Sequence, residues 1–231
     1  MRTTPDRESQ SPIDIVPVDA WRGELIVGDG WARFFGRAGA VAPTACRSVQ
    51  VITAICSWTR IATHATAALP VAGMILRSGE TCRIDGERPQ VMVLFADARL
   101  PGGRWLETHA KLPVQRLISN RAAQWRRLLF ALDPSTDLGA LLATSVHGRV
   151  DSTHLIHAVE ARIATAAILA WQRVARTVEV CREGTALQQA ARQAGFPSMG
   201  HCTRAFRLLF GLSPTMLLGA CHDGRSAAAA P

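Results

Sequence analysis

Apolar residues in this chain follow two regimes. From about residue 21 to 98 they form short runs cut by turn-forming residues; beyond about 113 they recur at helical spacing. The runs 24–28, 31–36, 49–56, 71–77 and 91–96 are rich in Val, Ile, Leu and aromatic side chains, which suit a pleated, half-buried surface and predict strands. Gly28-Asp29-Gly30, the stretch 36–43, Ser78-Gly79-Glu80 and Asp85-Gly86-Glu87 separate them with the residues that favour tight turns. Short strands at nearly even spacing point to an all-β sandwich or barrel. Residues 97–112 contain Gly and Pro and read as a connection.

The helical regime opens over 114–132. There Leu117, Ile118, Trp125, Leu128 and Leu129 share one side, while Arg121, Arg126 and Arg127 lie elsewhere. Helices are predicted over 137–146 and 151–162 around His147-Gly148-Arg149, and over the Ala-rich stretch 164–182, which ends at Gly184. The most structured pattern is 185–214, TALQQAARQAGFPSMGHCTRAFRLLFGLSP. Thr185 suits an N-cap, and Leu187, Ala190, Ala191 and Ala194 give an apolar face. Gly195 suits a turn that needs positive φ, and Ser198 suits the next cap. Cys202, Phe206, Leu209 and Phe210 form the second helix's apolar stripe. Gly211 fits a C-terminal stop, and Ser213-Pro214 fits the start of a further helix. Two helices joined by a tight turn are the pattern of a helix-turn-helix, whose second helix enters a DNA major groove.

Within that stretch, Gly195, Phe196, Ser198, His201, Arg204, Phe206, Arg207, Phe210, Gly211 and Pro214 stand at the spacing of a known motif. It resembles the second helix-turn-helix of the AraC/XylS transcription regulators, except that Cys202 replaces a usual aromatic. Leu142, Ala143, Val146, His147, Ser152, His154 and Leu155 resemble the family's first unit, with Gly148-Arg149 as an apparent insertion and Val159 in place of Phe. Trp171, Arg173 and Ala175 resemble its linker helix. The segments 42–50 (APTACRSVQ), 75–85 (ILRSGETCRID) and 91–97 (VMVLFAD) are similar to the cupin-like sensor of some members, with Pro43, Gln50, Gly79, Asp85 and Asp97 kept. The usual His positions hold Thr44, Cys46, Arg47 and Cys82.

The resemblance implies a two-domain α+β chain: a loose lead-in over 1–20, a cupin-like β-barrel over 21–98 for sensing or dimerisation, a connection and linker helix over 99–133, an all-α DNA-binding domain with two helix-turn-helix units over 134–221, and a tail over 222–231. It implies sequence-specific binding of double-stranded DNA, with RNA polymerase as a possible further partner and an unknown small molecule as effector. From helix geometry, Ser198, Met199, Gly200, His201, Thr203 and Arg204 approach base edges, while Arg207 and Arg192 contact phosphates. Ser152, Thr153, His154 and His157 are the first unit's DNA-facing candidates. Cys46, Arg47, Gln50 and Cys82 are the candidate effector positions.

Bulk properties refine this picture. The 231 residues give room for one large or two small cores, and 48% apolar with 19% charged residues describes a globular chain. The formal charge is +8, carried more densely after residue 120, which suits a polyanion. Among 26 basic residues only Lys111 is lysine; arginine favours bidentate contacts to phosphate and guanine. The six Cys show no C-x-x-C spacing, residues 1–10 lack the apolar core of a secretory signal, and no long uncharged apolar run marks a membrane span. A reducing cytoplasm, no membrane and a monomer or homodimer are expected.

No phosphate loop, nucleophile elbow, zinc-protease motif or dinucleotide fingerprint is present, so no enzyme activity, cofactor or metal is expected. Thr44 and Arg47 lack the donors of a histidine metal site, and a Cys46–Cys82 thiol pair is the remaining candidate for soft-metal or oxidant chemistry. Two alternatives stay open: a constitutive regulator that has lost effector response, and a cupin-type metalloenzyme.

Overall fold

The computed structural model describes residues 20–39, 44–56, 58–64, 66–86, 89–145 and 158–222. Nine strands and seven helices are described, a mixed α/β fold. The strands are β1 (Arg22–Gly28), β2 (Trp31–Arg37), β3 (Ser48–Ala54), β4 (Thr59–Thr63), β5 (Thr66–Val71), β6 (Gly73–Leu76), β7 (Cys82–Asp85), β8 (Gln90–Asp97) and β9 (Val114–Leu117). The helices are α1 (Pro101–His109), α2 (Ser119–Phe130), α3 (Leu138–Ser145), α4 (Ala158–Arg182), α5 (Leu187–Gln193), α6 (Met199–Phe210) and α7 (Pro214–His222).

Six strands form one antiparallel sheet in the order β1-β2-β8-β3-β6-β9, and β5-β4-β7 form a second. The expected barrel closure is not what these strands make: β1 and β9 are the edges of the larger sheet, and the two sheets share no strand pairing among the described residues. Side chains alternate across the larger sheet, as the two-residue period requires. On one face Leu25, Phe34, Ile52, Leu76 and Phe95 pack in a cluster with Ile61 and Ile84 of the smaller sheet. On the other, Trp31, Val51, Ile75 and Leu94 pack with Leu106, Leu129 and Leu142 of α1, α2 and α3. Both central strands, β3 and β8, are covered on both faces and are almost wholly buried.

Further sequence expectations change, among them the break expected at 163, since α4 runs unbroken from Ala158 to Arg182. Residues 101–109 form a helix instead of a connection, with Pro101 at its start, where a missing N–H costs nothing. Its glycines serve close packing: a Cβ on Gly103 would stand 2.1 Å from the Asp97 carbonyl oxygen, and one on Gly102 would stand 2.8 Å from Leu138. Residues 114–117, expected to begin a helix, instead pair with β6 in the register Gly73↔Leu117 to Leu76↔Val114. Pairing to an open sheet edge outweighs local helical spacing there.

The first sheet face also carries the C-terminal helices. Trp171, Val174 and Val178 of α4, with Phe206 and Phe210 of α6, belong to the same apolar cluster as Leu25 and Phe95. Phe210 meets Phe95 edge-on at 5.3 Å and Trp171 at 5.5 Å. Polar contacts also join the parts; the buried one between side chains runs from the Trp171 indole Nε1, which donates to the Asp97 carboxylate at 3.0 Å. Asp97 also accepts from Arg99 Nη2 at 2.6 Å, Arg99 Nε at 2.9 Å and the Arg99 main-chain N–H at 3.0 Å. Burial pushes the Asp97 carboxyl up, but the Arg99 hydrogen bonds and charge, helped by Trp171, hold it below the ordinary carboxylate range.

Candidate nucleic-acid interface

The segment 185–214 folds as two helices and a turn. Ala190 and Ala191 of α5 are buried, small enough to let another helix cross closely. Gly195 follows at φ 82°, a left-handed conformation that favours glycine. Ser198 then caps α6 with extended backbone, its Oγ accepting from the His201 main-chain N–H at 3.4 Å. That hydroxyl also lies 2.9 Å from the His201 Nδ1. The stop is Gly211 at φ 72°, whose N–H donates to the Arg207 carbonyl at 2.9 Å. One expected cap differs: α5 has Ala186 at its N-cap with no side-chain hydrogen bond, while Thr185 donates its N–H to the Val180 carbonyl and closes α4.

α6 divides cleanly by face. Cys202, Phe206, Leu209 and Phe210 are buried. Ser198, Gly200, His201, Arg204 and Arg207 are exposed, and Thr203 is half-buried. Met199 packs against the core, also half-buried. The structure therefore gathers the polar candidates of the second unit on one accessible stripe, led by a capped helix N-terminus. Arg192 is exposed on the neighbouring α5. Ser152, Thr153, His154 and His157 of the first unit lie outside the described residues.

The residues before β3 approach the same helix, a feature with no sequence signal. Thr44 donates its N–H to the Gly211 carbonyl at 2.9 Å and its hydroxyl to the same oxygen at 3.1 Å. The Arg47 N–H donates to the Leu208 carbonyl at 2.7 Å. Thr44 and Ala45 form one wall of a shallow groove whose other wall is Gly200, Thr203, Arg204 and Arg207.

The four candidate effector positions separate. Cys46, Gln50 and Cys82 are buried on the inner face of the sheet sandwich, where the Gln50 amide donates to Cys46 Sγ at 3.3 Å and Cys46 Sγ donates to the Ser48 carbonyl at 3.5 Å. Arg47 is exposed at the surface. Burial pushes the Cys46 thiol up to about 11 despite its hydrogen bonds to Ser48 and Gln50. Burial, together with the nearby Cys46, pushes Cys82 up to about 12. Both are protonated at neutral pH and so hold little of the thiolate that reacts with oxidants. Among the described residues, no group of three or more His, Cys, Asp or Glu side chains is placed to hold a metal ion, and no helix is long and apolar enough to cross a membrane.

No protein-family model matches the chain, and no curated protein matches it. Among solved structures, ToxT from Vibrio cholerae O395 is similar over 87% of this chain and 98% of its own, at 9% identity and a TM-score of 0.39. ToxT bound to (E)-4-(8-methylnaphthalen-1-yl)but-3-enoic acid is similar over 87% of this chain and 99% of its own, at 8% identity and a TM-score of 0.39. The DMSP lyase DddQ from Ruegeria pomeroyi DSS-3 is similar over 46% of this chain and 55% of its own, at 10% identity and a TM-score of 0.30. These likenesses are too low to assign an activity.

Proposed function

We propose that this chain is a sequence-specific DNA-binding regulator of transcription and that α6 is its recognition helix. The observation that carries the reading is the division of α6: three buried large apolar side chains and Cys202 on one side, and Ser198, Gly200, His201, Thr203, Arg204 and Arg207 on the other. Such a helix with a basic, accessible face, set behind a tight glycine turn, fits a major groove about 12 Å wide. His201 and Arg204 can donate to guanine acceptors, and Arg207 and Arg192 can neutralise phosphates. The AraC/XylS resemblance of 195–214 supports the same reading, as does a formal charge of +8. A duplex seated along the whole helix takes the space that Thr44 and Ala45 now border, so full engagement moves that segment aside.

The domain boundaries and the effector follow as parts of this proposal. The β region, 21–98, is the sensing or dimerising part, and its sandwich interior around Cys46, Gln50 and Cys82 is the place for a small effector. A constitutive regulator with no effector remains the alternative reading, since those buried side chains also satisfy one another.

The test is a titration of a generic DNA duplex with the purified chain across a range of salt concentrations. Affinity should fall steeply as salt rises, and Arg207→Ala should reduce the slope of log affinity against log salt by about one. Absence of binding at low salt would overturn the proposal.

A further inference from the structure

The face of α2 turned away from the sheet is a second surface that DNA reading leaves unused. Its inner side is held firmly. Ala122 and Leu129 are buried, Arg126 Nη1 donates to the Ala54 carbonyl at 2.9 Å, and Arg33 Nη1 donates to the Leu129 carbonyl at 3.0 Å. α3 packs on α1 through Leu138, which lies against Gly102, and its buried Leu142 shares a core cluster with Leu129 of α2; Asp137 Oδ1 accepts from the Ala140 N–H at 3.0 Å and closes the first turn of α3. Between the two helices runs an open cleft of about 580 Å³. Trp125, Leu128 and Leu141 give it an apolar floor, and Arg121 and Arg127 stand on its flanks.

The charge on this face is one-sided. α2 carries three arginines and no acidic residue. Arg121 and Arg127 are exposed, and among the described residues neither is paired with a carboxylate. Outside the cleft, Ile118 is 72% and Phe130 55% exposed at the two ends of the helix, Phe130 with its ring 5.4 Å from that of Phe35. A second copy of this chain presenting the same face would set arginine against arginine, which costs free energy instead of releasing it. A small anion would pair with an arginine and leave the apolar floor wet. From Arg121 to Ala131 the stripe runs about 15 Å at the usual helical rise, the length of nearly three turns of a docked helix.

We propose that the α2–α3 cleft docks an acidic amphipathic helix of a partner protein. The partner's apolar residues, at i, i+3, i+4 and i+7, fill the Trp125–Leu128–Leu141 floor, and its flanking carboxylates meet Arg121 and Arg127. The contact lies on the sheet face opposite α6, so a protein partner and DNA can occupy the chain together.

The probe is a labelled sixteen-residue peptide with Leu at those four positions and Glu on its polar face, titrated into the full chain by fluorescence anisotropy. Saturable binding is expected. Arg121→Glu/Arg127→Glu should weaken it at least tenfold, and Leu128→Glu should do the same at a salt concentration that screens the charges. Arg37→Glu/Lys111→Glu, equal charge reversals at exposed positions elsewhere, should change it less than twofold, and thermal melts confirm that each variant is folded. Equal losses from both charge reversals would show generic attraction to a basic protein and overturn the proposal. A dimer in sedimentation that Leu128→Glu dissociates would overturn it in favour of a second copy. Competition by duplex DNA for the peptide would overturn it in favour of nucleic acid at this face.

Discussion

Replacing Asp97 with Asn should loosen the joint between the β region and the C-terminal helices. The carboxylate spends both oxygens: Oδ1 accepts from the Arg99 N–H and Nε, and Oδ2 from Arg99 Nη2 and Trp171 Nε1. An amide keeps only one acceptor. Whichever way it turns, its NH2 faces two donors, so two hydrogen bonds are lost and a buried indole or a guanidinium loses its partner. Hydrogen bonds to a charged group contribute about 1.5–3 kcal/mol each. The Arg99 side chain is 26% exposed and can recover part of that from water, which leaves an expected loss of about 2–4 kcal/mol.

Urea unfolding of Asp97→Asn at pH 7, followed by tryptophan fluorescence, measures this loss as a lower midpoint with an unchanged slope. Trp171→Phe should cost less, since Arg99 still holds the carboxylate, and the double variant should lose less than the sum of the two. The pH dependence has a definite sign. The folded carboxyl titrates below its unfolded value of about 3.9, so the stabilisation is complete above that pH and fades as pH falls through the folded value. The gap between wild type and Asp97→Asn must therefore narrow on acidification. A loss under about 0.5 kcal/mol at pH 7, or a gap that widens toward pH 3, would refute the role given to Asp97.

Three further outcomes are expected. Arg204→Ala should cost about 1–3 kcal/mol on the best duplex and relax preference at one base position, read by comparing its affinities across single-base variants of that duplex. Gly195→Ala should destabilise by about 1–2 kcal/mol in thermal or urea unfolding, because φ 82° strains any side chain there while the nearest atom, Arg173 Nε at 3.7 Å, leaves room for a methyl. Maleimide at pH 7 should label the exposed Cys56 rapidly in the native protein and reach Cys46 and Cys82 only on unfolding, as counted by mass spectrometry, since both are buried and titrate near 11 and 12.

The two helices and the turn of 185–214 were legible in the sequence because their constraints are local. Gly195, Ser198 and Gly211 each declare a backbone conformation, and the spacing of Cys202, Phe206, Leu209 and Phe210 declares one face. The central strands were legible for a similar reason, since 91–96 is a continuous apolar run and 49–54 is broken only by Gln50 and Thr53. What the sequence hid depends on distant partners. β9 exists because β6 offers an edge, and β4, β5 and β7 are short and mixed in character, with exposed positions that blur any alternation. α1 was hidden because Gly102 and Gly103 resemble linker residues until Asp97 and Leu138 crowd them. At the candidate site, the exposed stripe of α6 could be read from period alone, whereas the approach of Thr44–Arg47 to Leu208 and Gly211 spans more than 160 residues and uses main-chain atoms common to every sequence. The Trp171–Asp97 bond is equally silent, because neither residue announces its partner.

The central claim is that α6 reads a base sequence. Selection of bound duplexes from a random DNA library with the purified chain, at two salt concentrations, tests it directly. An enriched motif that persists at the higher salt, and that changes at one position when Arg204 is replaced by Ala, is the outcome this account requires. Enrichment of no motif, with binding that vanishes as salt rises, would mean that the basic surface attracts DNA without reading it, and would contradict the claim.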